Sequence, residues 1–233
     1  MQYATITAKG PPNSAGAGSL RENGMQEETN LWLAQALYDV GGIQFGDFTL
    51  GRTAVNSPVY VNPRLLISEP AVLARIARLI DREVRAGQSR RRPRISPFSL
   101  VAGVPFGGLH LATAYSLLTE VPMIYARPTA SGGRDHMIEG RYEQGQNVLL
   151  IDDLTTGGGS IVQTIALLEE AELSVRDIIV LIDREQGAEE RLRSRGYNLI
   201  PILRLKTMLT YLYETGRIDE RWYRRSMEYL QPR

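Results

Sequence analysis

The sequence predicts an α/β fold in which a central parallel sheet is flanked by helices. Three observations predict it. From residue 99 to residue 203, short apolar runs alternate with amphipathic ones, the order strand, helix, strand that a parallel sheet with both faces covered requires. One connection, "DDLTTGGGS" at 152–160, carries an apolar strand into a helix through two acids, two threonines, three glycines and a serine. A chain of 233 residues that is 43% hydrophobic can also close such a core without staples.

Residues 1–25, rich in Pro, Gly, Ser and Asn from residue 10 onward, read as a flexible tail. Residues 27–38 read as a first helix, with Leu31, Leu33, Ala34 and Leu37 on its apolar side. "GGIQFGDFTL" and "SPVYVNPR" read as two short strands, although the alternation Ile43, Phe45, Phe48, Leu50 is imperfect. From 70 to 84, Val72, Leu73, Ile76, Leu79, Ile80 and Val84 recur at three- and four-residue spacing, which makes a helix ending at Gly87. The arginine-rich run "QSRRRPR" that follows reads as a solvated connection.

The regular part then comprises strands at 99–102, 123–126, 148–152, 178–183 and 199–203, and helices at 108–118, 159–170 and 188–195. A long polar loop separates 126 from 148. Two short helices, 207–214 and 219–230, close the chain.

Composition narrows the chemistry. There is no cysteine, so thiolate nucleophiles, thiolate metal sites and disulfides are excluded. No run approaches the roughly 18 apolar residues of a membrane span, and the N-terminus has no charged-then-apolar signal pattern, so a cytoplasmic location is expected. A net charge of +1 gives no long-range field for nucleic acid. Lys9 and Lys206 are the only lysines, so nearly every cation is arginine.

The loop at 152–160 carries the functional signal. In open α/β sheets, ligands bind at the carboxyl ends of the strands. Free N–H groups and the dipole at a helix N-terminus favour an anion, and glycines let it approach the backbone. Thr155, Thr156, Gly157, Gly158, Gly159 and Ser160 therefore suit a phosphate. The loop lacks a P-loop lysine and the dinucleotide glycine spacing, so neither a standard ATPase nor a nicotinamide enzyme fits. Asp152 and Asp153 would repel a phosphate; they suit vicinal hydroxyls or a phosphate-bound Mg²⁺. A ligand with both a phosphate and a diol is a ribose phosphate. Simple helix capping is the plainer use of such residues, but one cap needs only one of them.

"LLIDDLTTGGGS" resembles the phosphoribosyl-pyrophosphate loop of type I phosphoribosyltransferases. "ALYDVGGIQFGDFTL", "SPVYVNPR", "GVPFGGLHLATA", "MIEG", "VLIDREQGAEERLRSRG" and "LKTML" resemble, in the same order, segments of the orotate phosphoribosyltransferase family. The resemblance covers roughly residues 31–218. It implies a type I phosphoribosyltransferase-like sheet with a small N-terminal hood. On that basis the chain divides into a tail at 1–25, a hood at 26–66, a core at 67–218 and a C-terminal helix at 219–233. It also implies transfer of phosphoribose from its pyrophosphate ester to N1 of orotate in pyrimidine nucleotide biosynthesis, with Mg²⁺ bound through that ester, in a homodimer. Asp152 and Asp153 would hold the ribose hydroxyls, and Thr155 to Ser160 the 5-phosphate. Thr156 and Arg184 would contact the pyrimidine, where a guanidinium offers fixed donors to an acceptor-rich edge.

The resemblance breaks at the mobile loop that in this family supplies an arginine, two lysines and a histidine to the leaving pyrophosphate. Aligned back from Glu139 and Gly140, these positions hold Ala126, Arg127, Ala130 and Gly132. Gly107 stands where a lysine is often found, and the early-turn lysine corresponds at best to Arg52. Two readings follow. In one, the chain is an enzyme with Arg127 and Arg134, and His136 beside them, as the rebuilt clamp, and Asp153 in the catalytic set. In the other, it kept the ribose-phosphate site, lost the clamp, and binds phosphoribosyl pyrophosphate or a nucleotide as a sensor or partner-binding module.

Overall fold

The computed structural model describes residues 30–50, 54–127 and 138–231. Six strands form the main sheet: β3 (Leu100–Gly103), β4 (Met123–Ala126), β5 (Ile138–Glu139), β6 (Asn147–Thr155), β7 (Ser174–Asp183) and β8 (Asn198–Arg204). Their order is β5-β4-β3-β6-β7-β8. All pairs are parallel except β4 with β5, an antiparallel edge that the sequence pattern did not announce because β5 is two residues long.

Five helices cover the two faces. Four belong to the strand-linking run: α2 (Pro70–Gln88), α3 (Gly107–Thr119), α4 (Gly159–Glu170) and α5 (Ala188–Arg193). The fifth is α6 (Leu205–Glu214). Because strand side chains alternate, Leu149 and Ile151 of β6 join one core with Leu111 and Tyr115 of α3, while Val148 and Leu150 join the other with Ile161, Ile165 and Leu168 of α4. Both faces of the sheet are buried, so β6 and β7 read as nearly unbroken apolar runs.

The segment expected to form a hood contains α1 (Trp32–Asp39), the antiparallel hairpin β1 (Ile43–Leu50) and β2 (Ala54–Val61), and a 3-10 helix at Pro63–Ser68. The imperfect alternation of β1 has a structural cause: its register with β2 shifts on both sides of Phe48. The last helix, α7 (Glu220–Tyr229), lies against this hairpin. There Trp222 meets Phe45 at 6.0 Å between ring centroids, and Arg225 pairs with Asp47. The expected C-terminal helix is therefore part of the hood's support.

Several boundaries differ from expectation. Among the described residues the first helix runs from Trp32 to Asp39, and the part of the expected helix before residue 30 lies outside them; α2 runs through Gly87 to Gln88, where Gly87 packs on Ile95 with no room for a Cβ. Most relevant to function, β6 continues past its expected end at Asp152 to Thr155, so Asp153 is a strand residue as well. The expected tail at 1–25 lies outside the described residues.

Chain order sets the position of the site. From β3 the chain moves outward to β4 and then returns to β6 on the other side of β3. The carboxyl ends of β3 and β6 thus flank a topological switch point, the place where open α/β sheets leave a crevice.

Candidate active site

The carboxyl end of β6 delivers the two acids side by side with opposite exposure. Asp152 is 4% exposed, whereas the Asp153 side chain is 15% exposed. The Asp153 backbone N–H donates to Asp152 Oδ1 at 2.9 Å. Burial, and next the Asp153 carboxylate, push the Asp152 carboxyl well above the ordinary carboxylate range.

Asp153 lies against the start of α3. A Cβ added to Gly107 would fall 2.1 Å from Asp153 Oδ2 and 2.2 Å from its Cγ, so the carboxylate occupies the space a side chain at 107 would take. Gly108 lets α3 press on β6, since a Cβ there would meet the Ile151 carbonyl at 2.3 Å. Arg64, from the 3-10 helix of the hood, reaches Asp153 Oδ2 through Nε at 3.5 Å, with its side chain 62% exposed.

After Thr155 the chain turns through Gly158, whose φ of 73° is left-handed and whose Cβ is therefore unwelcome. No side chain caps α4. The simple capping use of the threonines and serine is therefore not what the structure shows. Gly159 has nothing within 4 Å of a built Cβ, so its lack of a side chain serves no internal packing and leaves a cradle beside the helix N-terminus. Arg191 of α5 donates to the Gly157 carbonyl at 3.2 Å and steadies the loop. Thr155 is buried, Thr156 half-buried and Ser160 exposed.

The neighbouring strand supplies Arg184. β7 pairs in register with β6, Asp183 opposite Thr155, and the Arg184 N–H donates to the Thr155 carbonyl at 3.0 Å. Arg184 is 2% exposed, and it does not form the surface ion pair with Asp183 or Glu185 that its neighbours suggest. Its Nη2 donates to Ser57 Oγ at 2.9 Å and to the Val59 carbonyl at 3.3 Å, both on the hood hairpin. Its Nε has no partner among the described residues, and burial lowers the guanidinium from its ordinary range. Asp183 accepts from the Glu185 N–H at 2.8 Å and from Arg204 at 3.3 Å, while Glu185 accepts from the Lys206 N–H at 2.9 Å. "DREQG" is thus a knot in which both acids are engaged and one donor is left over.

The structure brings together Asp152, Asp153, Thr155 to Ser160 and Arg184 around one end of the sheet. Arg127 stands at the end of β4 with Nη1 on Glu139 Oε1 at 3.2 Å. Arg52, Arg134 and His136 lie outside the described residues. Arg64 and Ser57 were missed by sequence reasoning. Both fall inside the quoted segment "SPVYVNPR", but their partners are far along the chain, and no periodicity reports such a contact. Among the described residues no group of three or more His, Asp or Glu is placed to hold a metal. The paired carboxylates fit a Mg²⁺ that arrives on a phosphate ligand and takes few protein oxygens.

The family model for the phosphoribosyl transferase domain matches residues 66–194. The uridine 5'-monophosphate synthase of Bos taurus is 34% identical over 200 residues, which cover 85% of this chain and 40% of that protein. The chain thus spans about two-fifths of the length of that relative. The orotate phosphoribosyltransferase of Pyrococcus abyssi is 35% identical over 197 residues, covering 84% of this chain and 100% of the other. The crystal structure of orotate phosphoribosyltransferase from Aeropyrum pernix superposes with a TM-score of 0.63 at 30% identity, over 79% of this chain and 99% of that one. With full-length relatives at this identity and the same sheet, the chain belongs to the orotate phosphoribosyltransferase family.

Proposed function

We propose that the protein is an orotate phosphoribosyltransferase that moves phosphoribose from phosphoribosyl pyrophosphate to N1 of orotate in pyrimidine nucleotide biosynthesis. The observation that carries this is the meeting, at one switch point, of an uncapped helix N-terminus, a carboxylate pair and a buried arginine with an unused donor. Backbone N–H groups from Thr156 to Ser160 take the 5-phosphate. Asp152 and Asp153 accept hydrogen bonds from the ribose hydroxyls. Arg184 Nε donates to an acceptor on the base, with Thr156 beside it.

In the reaction, the N1–C1 bond forms as orotate gives up its N1 proton, and the C1–O bond breaks with its electrons leaving on pyrophosphate. Asp152 and Asp153 are the residues that would face a Mg²⁺ brought in on the phosphates, and such an ion would supply charge neutralisation to the departing group. The protein's share is positioning and electrostatic stabilisation at both ends of the ribose. Arg127 and Arg134 belong to the lid side of this proposal, and Arg52 to its phosphate contacts. The family resemblance extends it to a homodimer acting in the cytoplasm.

One observation favours the binding-module reading: Arg127, the one cation left at the aligned lid positions among the described residues, is engaged with Glu139, and Ala126 is buried beside it. A panel of bases separates the two. With phosphoribosyl pyrophosphate and Mg²⁺, pyrophosphate release is expected with orotate and not with uracil, adenine or hypoxanthine. Saturable binding of phosphoribosyl pyrophosphate without release on any base would establish the module instead.

A further inference from the structure

Three of the four aligned lid positions hold alanine or glycine where cations are expected, yet the floor of the site holds a cation that no lid provides. Arg64 projects from the 3-10 helix at Pro63–Ser68, its side chain mostly in solvent, and it pairs with the Asp153 carboxylate at 3.5 Å. That contact depends on a vacancy of sequence. Gly107 has no side chain, so Asp153 lies back onto the start of α3, where Arg64 can reach it.

The location has a direction. The phosphate cradle at Gly157 to Gly159 lies on the β7 and α5 side of β6: Gly158 faces Ala188 and Leu192, and Gly157 faces the Gln186 carbonyl. Arg64, Asp153 and Gly107 lie on the β3 and α3 side. A ribose with its 5-phosphate in the cradle and its diol on the acids points C1, the neighbour of C2, away from the cradle and toward Arg64.

We propose that Arg64 is a pyrophosphate-binding residue of this site. It pairs with Asp153 when the site is free, and passes to the C1 pyrophosphate when the ribose diol takes the Asp153 carboxylate. The pair is loose enough to exchange. A half-exposed ion pair at this distance is weak, whereas a guanidinium on a phosphate oxygen makes charge-assisted, forked hydrogen bonds. A cation on the hood floor stands in for part of the charge missing from the lid. This inference rests on the ribose-phosphate reading above.

The test is calorimetric titration of the full chain and its Arg64→Ala and Arg64→Lys variants with two probes, phosphoribosyl pyrophosphate plus Mg²⁺ and ribose 5-phosphate. Circular dichroism melts of each confirm folding. Loss of Arg64 is expected to weaken phosphoribosyl pyrophosphate by about 10- to 100-fold, the scale of one or two hydrogen bonds to a charged group. Ribose 5-phosphate is expected to bind unchanged or more tightly, because the diol no longer competes with Arg64 for Asp153. Lysine is expected to restore part of the first effect. Equal weakening of both probes would overturn the proposal in favour of a role in holding Asp153. No change in either would overturn it outright, and failure of the unmodified protein to bind either probe would bring down the ribose-phosphate reading itself.

Discussion

Replacing Arg184 with methionine, of similar length but without charge, isolates the buried guanidinium. Two hydrogen bonds from it to Ser57 and Val59 would be lost, each worth about 1.5–3 kcal/mol as bonds to a charged group. Against this stands the several kcal/mol it costs to hold a guanidinium out of water, here with no carboxylate paired to it among the described residues. The acceptors left behind are not orphaned, because Ser57 Oγ donates to the Val59 carbonyl at 2.7 Å. The opposing contributions cancel to within about 1.5 kcal/mol, which for a chain of this size is a shift of no more than ~6 °C in Tm.

Function should not cancel in the same way. If Nε is kept for the base, kcat/KM for orotate falls by about 10- to 100-fold, the cost of one charged hydrogen bond. Scanning calorimetry without ligand and orotate absorbance with phosphoribosyl pyrophosphate read the two effects separately. A large drop in Tm would refute the cancellation, and unchanged kinetics on orotate would refute the assignment of Arg184 to the base.

Other outcomes follow from the same geometry. Gly159→Ala meets no atom of the described residues within 4 Å and adds a better helix former, so Tm holds or rises while affinity for ribose 5-phosphate, measured by titration, falls about 10-fold or more. Gly158→Ala must place a side chain at φ 73° and should cost about 1 kcal/mol in denaturant unfolding. Asp152→Asn tests the buried acid by its pH dependence. Burial raises the folded-state pKa above the unfolded value, so the wild-type residue's contribution is fully present below the unfolded pKa of about 3.9 and is lost as pH rises through the folded pKa. Asparagine lacks that loss. The Tm of the variant relative to wild type should therefore climb as pH rises above about 4 and through the folded-state pKa, and a flat difference would contradict the burial argument.

The fold was legible because the pattern that encodes it is local. Apolar runs such as Val148 to Ile151 and Ile178 to Ile182 announce buried strands, and the stripe from Val72 to Val84 announces α2. The phosphate cradle was legible for the same reason, since strand, glycines and helix are contiguous. What the sequence concealed are contacts made across the chain. The length of β6 is set by its pairing with β7, which carries the acids into the sheet. Arg184 was named for the pyrimidine through the family resemblance, but its burial was hidden: the flanking acids are engaged by Arg204 and by the N–H groups of Glu185 and Lys206, and the guanidinium is covered by a hairpin more than a hundred residues earlier. Arg64 became visible only with Asp153 lying on Gly107.

The central claim is that this site transfers phosphoribose to orotate despite its altered lid. Steady-state pyrophosphate release at saturating phosphoribosyl pyrophosphate, Mg²⁺ and orotate, matched mole for mole by loss of orotate absorbance, tests it most directly. Turnover on the order of 1 per second or faster is predicted, the ordinary range for an enzyme. Saturable binding of both substrates with no pyrophosphate released would contradict it.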